Sequence, residues 1–223
     1  TNIHYLQGSA LDETHTYDVP QADCQAGETF LVGRLSKMQD GSGDTTFCYN
    51  RFGDLVRKVQ RVEGRAFTLA WQYLPNGRLA SMSYPDGSRV EYQYDAQGRI
   101  TTLERVRANN RQTLLGSASY APFGPVQSWV YGNGLAYRRT LNADYRPGVV
   151  EDGPVNGVGP GISLGYEFDA VGNLWKLRDG KQAEPPLRVY AYDGLDRLTA
   201  ARDAAGTDQQ TYAYDRTGNR TAS

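Results

Sequence analysis

The sequence predicts an all-β protein: a repetitive meander of antiparallel hairpins forming one curved or spiral sheet, a segment of a hollow β-barrel shell. Three observations carry this. Eight times an aromatic or apolar residue is followed, four positions later, by a turn residue that is usually glycine, and the starts lie 24, 21, 26, 21, 27, 24 and 22 residues apart. A period in that range marks a stacked repeat array. Between the turns, apolar and polar residues alternate with period two, as in half-buried strands. Tyrosine is in excess, 16 against 6 Phe and 3 Trp, which suits a sheet wet on one side, because the ring packs while the hydroxyl reaches water.

Residues 1–30 read as an irregular segment or incomplete repeat, and residues 31–223 as about eight repeats in one continuous sheet. The clearest motif copies start at Tyr94 (Asp95, Gly98), Phe168 (Asp169, Gly172), Tyr192 (Asp193, Asp196) and Tyr214 (Asp215, Gly218). Looser copies start at Tyr49 (Gly53), Tyr73 (Gly77), Tyr120 (Gly124) and Leu141. Phe47 and Tyr49 share a predicted face opposite Thr46 and Cys48. Phe67, Leu69, Trp71 and Tyr73 alternate with Ala66, Thr68, Ala70 and Gln72. Val90, Tyr92 and Tyr94 alternate with Glu91 and Gln93, and Tyr166 and Phe168 continue the pattern.

Each motif supplies a turn in which Asp accepts hydrogen bonds from backbone amides ahead of it and Gly takes the left-handed conformation. A second, variable kind of turn alternates with it, at Asp40–Gly43, Val62–Gly64, Pro85–Gly87, Asn109–Asn110, Gly132–Gly134, Asp179–Gly180 and Asp203–Gly206. Glu151–Gly161 reads as the longest loop. The two kinds would line opposite rims. Tyr145 stands where glycine belongs, so the Leu141 repeat is expected to turn differently. Two strands per motif give about 16 strands, and sheets beyond about 10 strands curl rather than stay flat.

Composition excludes several functions. Net charge is −1 with 24 basic and 25 acidic residues interspersed, so no basic stripe points to nucleic acid. No apolar run approaches the roughly 20 residues of a membrane helix. The chain is expected to be a piece of a longer protein.

Candidate sites each have a plainer reading. Cys24 and Cys48 could form a disulfide if Tyr17–Gly27 folded over the strand ending at Tyr49; two unpaired thiols is the reading adopted. With two Cys, two His and no paired spacing, zinc is not expected. His4 and His15 accompany no nucleophile motif. Asp40–Asp44 resembles a calcium loop, but Arg51 stands where the bidentate Glu belongs. Gly157–Gly161 resembles a phosphate loop, but no helical pattern follows. Asp95, Asp169, Asp193 and Asp215 occupy one turn position, which favours a structural role over paired catalytic acids. No enzymatic activity and no cofactor is expected.

Tyr-Asp-x-x-Gly-Arg-Leu-like motifs every 20-odd residues resemble the YD or RHS (rearrangement-hotspot) repeat family, from about Leu31 to the end, including Gly33-Arg34-Leu35. The resemblance implies a spiral sheet closing into a cocoon, as in polymorphic toxins and insecticidal toxin complexes, with a toxin or effector domain of the same parent chain and neighbouring repeats as partners. Teneurin-like repeats imply the alternative, adhesion to a glycan or cell-surface receptor. The implied location is secreted or delivered by a bacterial secretion system, or the cell surface. The family's self-cleaving Asp-Pro-x-Gly-Leu motif is absent from these residues, so no protease activity carries over. Leucine-rich, propeller and choline-binding repeats lack their signatures here.

Overall fold

The computed structural model describes residues 2–3, 12–157, 159–182 and 184–222; His4 lies outside them. The fold is all-β, and the chain divides into two compact units, Thr1–Leu114 and Leu115–Ser223. No helix of the described residues is long and apolar enough to cross a membrane.

In the first unit β1 (Asn2–Ile3) pairs with β2 (Glu13–Tyr17), and β2 with β3 (Leu35–Asp40). The meander continues through β4 (Gly43–Tyr49), β5 (Leu55–Val62), β6 (Arg65–Tyr73), β7 (Leu79–Ser83), β8 (Arg89–Tyr94) and β9 (Ile100–Arg107), every neighbouring pair antiparallel. β10 (Asn110–Tyr120) runs into the second unit. There β11 (Val126–Tyr131), β12 (Leu135–Leu141), β13 (Pro147–Pro154), β14 (Ile162–Phe168), β15 (Leu174–Asp179), β16 (Arg188–Tyr192), β17 (Leu198–Arg202) and β18 (Asp208–Thr211) repeat the pattern. β19 (Ala213–Tyr214) and β20 (Arg220–Ala222) form a separate short ladder.

Cross-strand register gathers the aromatic and apolar residues on one face, as the alternation predicts. Phe47 lies opposite Lys58 and Lys58 opposite Leu69; Trp71 lies opposite Met82 and Met82 opposite Val90. The other face carries Cys48, Arg57, Ala70 and Ser83 in one row and Thr46, Val59 and Thr68 in the next. In the second unit Trp129 stacks on its cross-strand neighbour Tyr137, with centroids 4.0 Å apart.

Within the first 30 residues β1 and β2 extend the sheet. Two expectations change. Glu151–Pro154, expected to be loop, belongs to β13, paired with β12 and partly with β14. The two cysteines are not free thiols: Cys24 and Cys48 form a disulfide, with Cα atoms 5.4 Å apart. The physical reason is a clamp. The segment between β2 and β3 lies over the small-residue face, where the Glu28 carboxylate accepts two hydrogen bonds from Arg57, at 2.8 and 3.0 Å. Asp23 pairs with Arg61, and Thr29 bridges Tyr49. These contacts bring Cys24 onto the fully buried Cys48. Burial works against the Glu28 carboxylate, yet Arg57 holds its pKa below the ordinary value. The best-buried side chains of the unit lie here, Leu31 and Cys48 together with the small polar Ser36 and Thr46, while Phe67 on the other face stays 45% exposed.

Candidate functional site

The repeated motif builds one turn many times over. In the motifs starting at Tyr49, Tyr73, Tyr94, Tyr120, Leu141, Phe168, Tyr192 and Tyr214, the second residue's N–H donates to the sixth residue's carbonyl. The fifth residue's N–H donates back to the second residue's carbonyl. Tyr145 follows the same scheme with φ of 62°, and Asp196 with φ of 58°. The expectation of a different turn at Tyr145 is thus overturned: the two backbone bonds hold a tyrosine in the left-handed region. The two kinds of turn are also less distinct than expected, because Tyr84–Ser88 and Asp203–Thr207 on the opposite rim use the same pair of bonds.

The motif acid serves the turn. Asp95 Oδ1 accepts from the N–H groups of Gln97 and Arg99, at 2.9 and 2.8 Å. Asp169, Asp193 and Asp215 do the same in their own turns. Asn50 and Asn142, which replace Asp, use Oδ1 identically. In the Tyr73 motif Leu74 offers no acceptor, and Asn76 Oδ1 takes the Arg78 N–H. Since Asn can fill the same acceptor place but gives up the charge that Arg99 meets, Asp95→Asn is expected to lower the urea midpoint less than Asp95→Ala does.

These hydrogen bonds favour the ionised carboxylate. The backbone amide of Arg99 is the main cause for Asp95, and that of Arg197 for Asp193. For Asp215 the Thr217 hydroxyl and the Asn219 amide lower the pKa from 3.8 to about 2. A depressed folded pKa contributes stability above the unfolded value and loses it as pH falls through the folded one. Thermal stability is therefore expected to hold above pH 4 and to decline as pH falls from about 3.8 to about 2. A melting temperature flat across that window would show that the turn carboxylates contribute nothing.

The motifs also join to one another along the rim. The hydroxyls of Tyr73, Tyr94, Tyr192 and Tyr214 donate to the carbonyls of Leu55, Leu79, Leu174 and Leu198, at 2.7 to 2.9 Å. Each acceptor is the seventh residue of the preceding motif. Burial raises the pKa of the Tyr73, Tyr94 and Tyr192 phenols, keeping them as donors. In the other direction the sixth-residue arginine reaches the next motif's ring: Arg34 over Tyr49, Arg78 over Tyr94, Arg146 over Phe168 and Arg197 over Tyr214.

Three of these arginines occupy space that only glycine leaves open. A Cβ built on Gly53, Gly98 or Gly172 would land on the guanidinium of Arg34, Arg78 or Arg146 respectively. In those three donor motifs the second residue is Phe30, Leu74 or Asn142, so no acid of their own turn competes. Where the second residue is Asp, the arginine also bonds its own turn: Arg99 donates to Asp95 Oδ2 and Arg197 to Asp193 Oδ2, at 2.8 and 2.7 Å, although Arg197 still lies over the Tyr214 ring. The arginines that fill the next repeat's glycine notch are thus those without an Asp in their own turn; Arg197, bonded to Asp193, leaves the space at Gly218 empty. Sequence reading identified the glycines but missed this second reason for them.

Residues 73–111 match the RHS-repeat family model. The chain carries an RHS repeat. No curated protein matches the chain. Among solved structures, the chain is similar to the TcdB2-TccC3 crystal structure lacking its hypervariable C-terminal region, at 18% identity and TM-score 0.72, over 85% of this chain and 11% of that one. It is similar to the Photorhabdus luminescens Tc holotoxin pore at 17% identity and TM-score 0.71, over 84% of this chain and 11% of that one. The likeness establishes the fold. The chain spans about a tenth of the length of the structures it matches.

Proposed function

We propose that this chain is a stretch of wall in an RHS-repeat shell that surrounds a toxic effector domain of the same parent chain and helps deliver it. The work is mechanical. Edge-to-edge hydrogen bonds and the rim ladder hold a single layer together, and the layer keeps a cargo polypeptide away from its surroundings. The observation that carries this reading is the use of the motif carboxylates. Asp95, Asp169, Asp193 and Asp215 are each committed to backbone amides of their own turn, so the repeated acids serve chain reversal rather than acid–base chemistry. The second support is the aromatic face: it remains half exposed, in keeping with a wall that faces a guest chain.

The disulfide fits a protein that passes through an oxidising compartment, since such bonds persist outside the reducing cytosol. Secretion or delivery from the producing cell is the location we infer.

The test is protease protection in the intact parent protein. A cargo inside a sealed wall resists a non-specific protease in the wild type and becomes susceptible when Gly53, Gly98 and Gly172 are together replaced by valine. Equal cleavage in both, with the repeats still folded by circular dichroism, would remove encapsulation from consideration.

A further inference from the structure

Residues 18–34, between β2 and β3, form a loop closed by its own neck. The Asp18 N–H donates to the Arg34 carbonyl at 3.2 Å, and the Asp18 carboxylate accepts the Gly33 N–H. These bonds do not depend on the loop lying against the sheet, so the loop can lift as one piece.

The body of the loop is pinned by a separate set of contacts. Cys24 is bonded to Cys48, Glu28 is paired with Arg57, and Asp23 with Arg61. The Glu28 carbonyl accepts the Tyr49 N–H at 2.9 Å, and the Phe30 N–H donates to the Tyr49 carbonyl at 3.2 Å. Thr29 therefore bridges the end of β4 in parallel, as an added strand would. Leu31 is a buried apolar anchor, whereas Val19, Phe30 and Val32 stay exposed.

The sheet beneath is cationic. Register places Lys37, Arg57 and Arg61 on the covered face, with Asp44 at 3.7 Å from Lys37 and 3.5 Å from Arg61. Asp23 and Glu28 balance this charge while the loop is closed. Lifting it leaves three cations against one acid.

We infer that this loop is a redox-locked lid, and that beneath it lies a docking site for an extended acidic segment of a partner polypeptide. The lid stands in for that segment. It uses the two means by which an extended peptide joins a strand end, main-chain pairing with Tyr49 and side-chain contacts that set the preference. Here those contacts are carboxylates on arginines, which are charge-assisted. Reduction is the key. Cys48 is sealed and Cys24 half-buried, so a thiolate of a dithiol reductant attacks Cys24 Sγ. The S–S bond breaks, a mixed disulfide forms on Cys24, and Cys48 leaves as a thiolate that takes up a proton. The reductant's second thiolate then attacks its own bonded sulfur, frees Cys24 as a thiolate, and leaves the reductant oxidised to a disulfide. The lid is then held by ion pairs at a partly exposed surface, which an acidic competitor can exchange into. The site lies on the face opposite the aromatic one, so the inference stands independently of encapsulation.

The test uses the 223-residue chain and a fluorescent peptide copying residues 20–32 with Cys24→Ser. In the chain, Cys24→Ser/Cys48→Ala/Glu28→Gln removes the lock and one ion pair. By fluorescence anisotropy the peptide is expected to bind this opened chain at least about tenfold more tightly than the oxidised wild type. A peptide that also carries Asp23→Asn and Glu28→Gln is expected to lose that gain. Exchange of the Tyr49 amide, which the Glu28 carbonyl holds in the closed state, should be fast in the opened chain and slow again with the acidic peptide bound. An opened chain that is folded by circular dichroism yet binds no peptide overturns the inference. So does Tyr49 exchange as slow as in the wild type, or a neutral peptide that binds as well as the acidic one.

Discussion

Removing the Cys24–Cys48 bridge is expected to cost the first unit about 3 kcal/mol, the usual scale for a loop of this length. The bonded residues are 24 apart in sequence. The measurement is chemical unfolding of Cys24→Ser/Cys48→Ala against wild type, followed by hydrogen exchange resolved along the chain. Because repeat arrays lose structure locally, the loss should concentrate in β2 to β5 rather than spread evenly. Reduction of the wild type should reproduce it. The bridge is not the only fastening. Glu28 and Arg57 remain beneath it, with side chains only 16% exposed each, so the segment should loosen rather than detach. A Glu28→Gln variant tests that division: in the reduced protein it should release the segment, and in the oxidised protein it should produce a much smaller change. An unfolding midpoint insensitive to reduction would mean that the covering segment adds nothing to the sheet it lies on.

The parts of this structure that were legible in the sequence are those fixed by local chemistry. The alternation of Phe67, Leu69, Trp71 and Tyr73 with Ala66, Thr68, Ala70 and Gln72 gave both the strand and its two faces, because a pleated strand has only that period available. The Asp95 turn was legible because the Asp acceptor and the glycine act within five residues. What remained hidden depends on chain segments far apart. The disulfide needs Glu28 to meet Arg57, 29 residues away, and no periodicity encodes that meeting. Tyr145 was misread because steric preference alone disfavours tyrosine in the left-handed region, whereas two backbone hydrogen bonds and a ring contact with Phe123 at 6.2 Å hold it there. The rim ladder was hidden for a similar reason. Its arginine and its glycine belong to different repeats, so the pairing shows only when one motif is written above the next. A signal was present: Arg34, Arg78 and Arg146 each follow a turn whose second residue is not acidic.

Gly98→Ala should destabilise the first unit by about 2 kcal/mol, roughly twice the cost of Gly77→Ala. The comparison is controlled by the backbone. Gly98 and Gly77 have φ of 81° and 80°, so an alanine suffers the same left-handed strain of about 1 kcal/mol at either place. Their surroundings differ. Nothing lies within 4 Å of a Cβ at Gly77, whereas at Gly98 the Cβ lands on the Arg78 guanidinium. Arginine is long enough to swing away, so the clash itself is relieved. What is lost is its seat, 5.7 Å from the Tyr94 ring centroid, worth about 1 kcal/mol at a partly exposed site. In an Arg78→Ala background the two glycine substitutions should therefore cost the same, and a double-mutant cycle reads the difference directly. Leu74→Asp supplies the complementary test. It gives Arg78 an acid in its own turn, as Asp95 is to Arg99, and should draw the guanidinium back from the notch. Gly98→Ala should then become as mild as Gly77→Ala without any change to the arginine. If Gly98→Ala stays the costlier substitution in both backgrounds, the glycine is kept for something other than room for its neighbour's arginine, and the rim ladder loses its role in joining one repeat to the next.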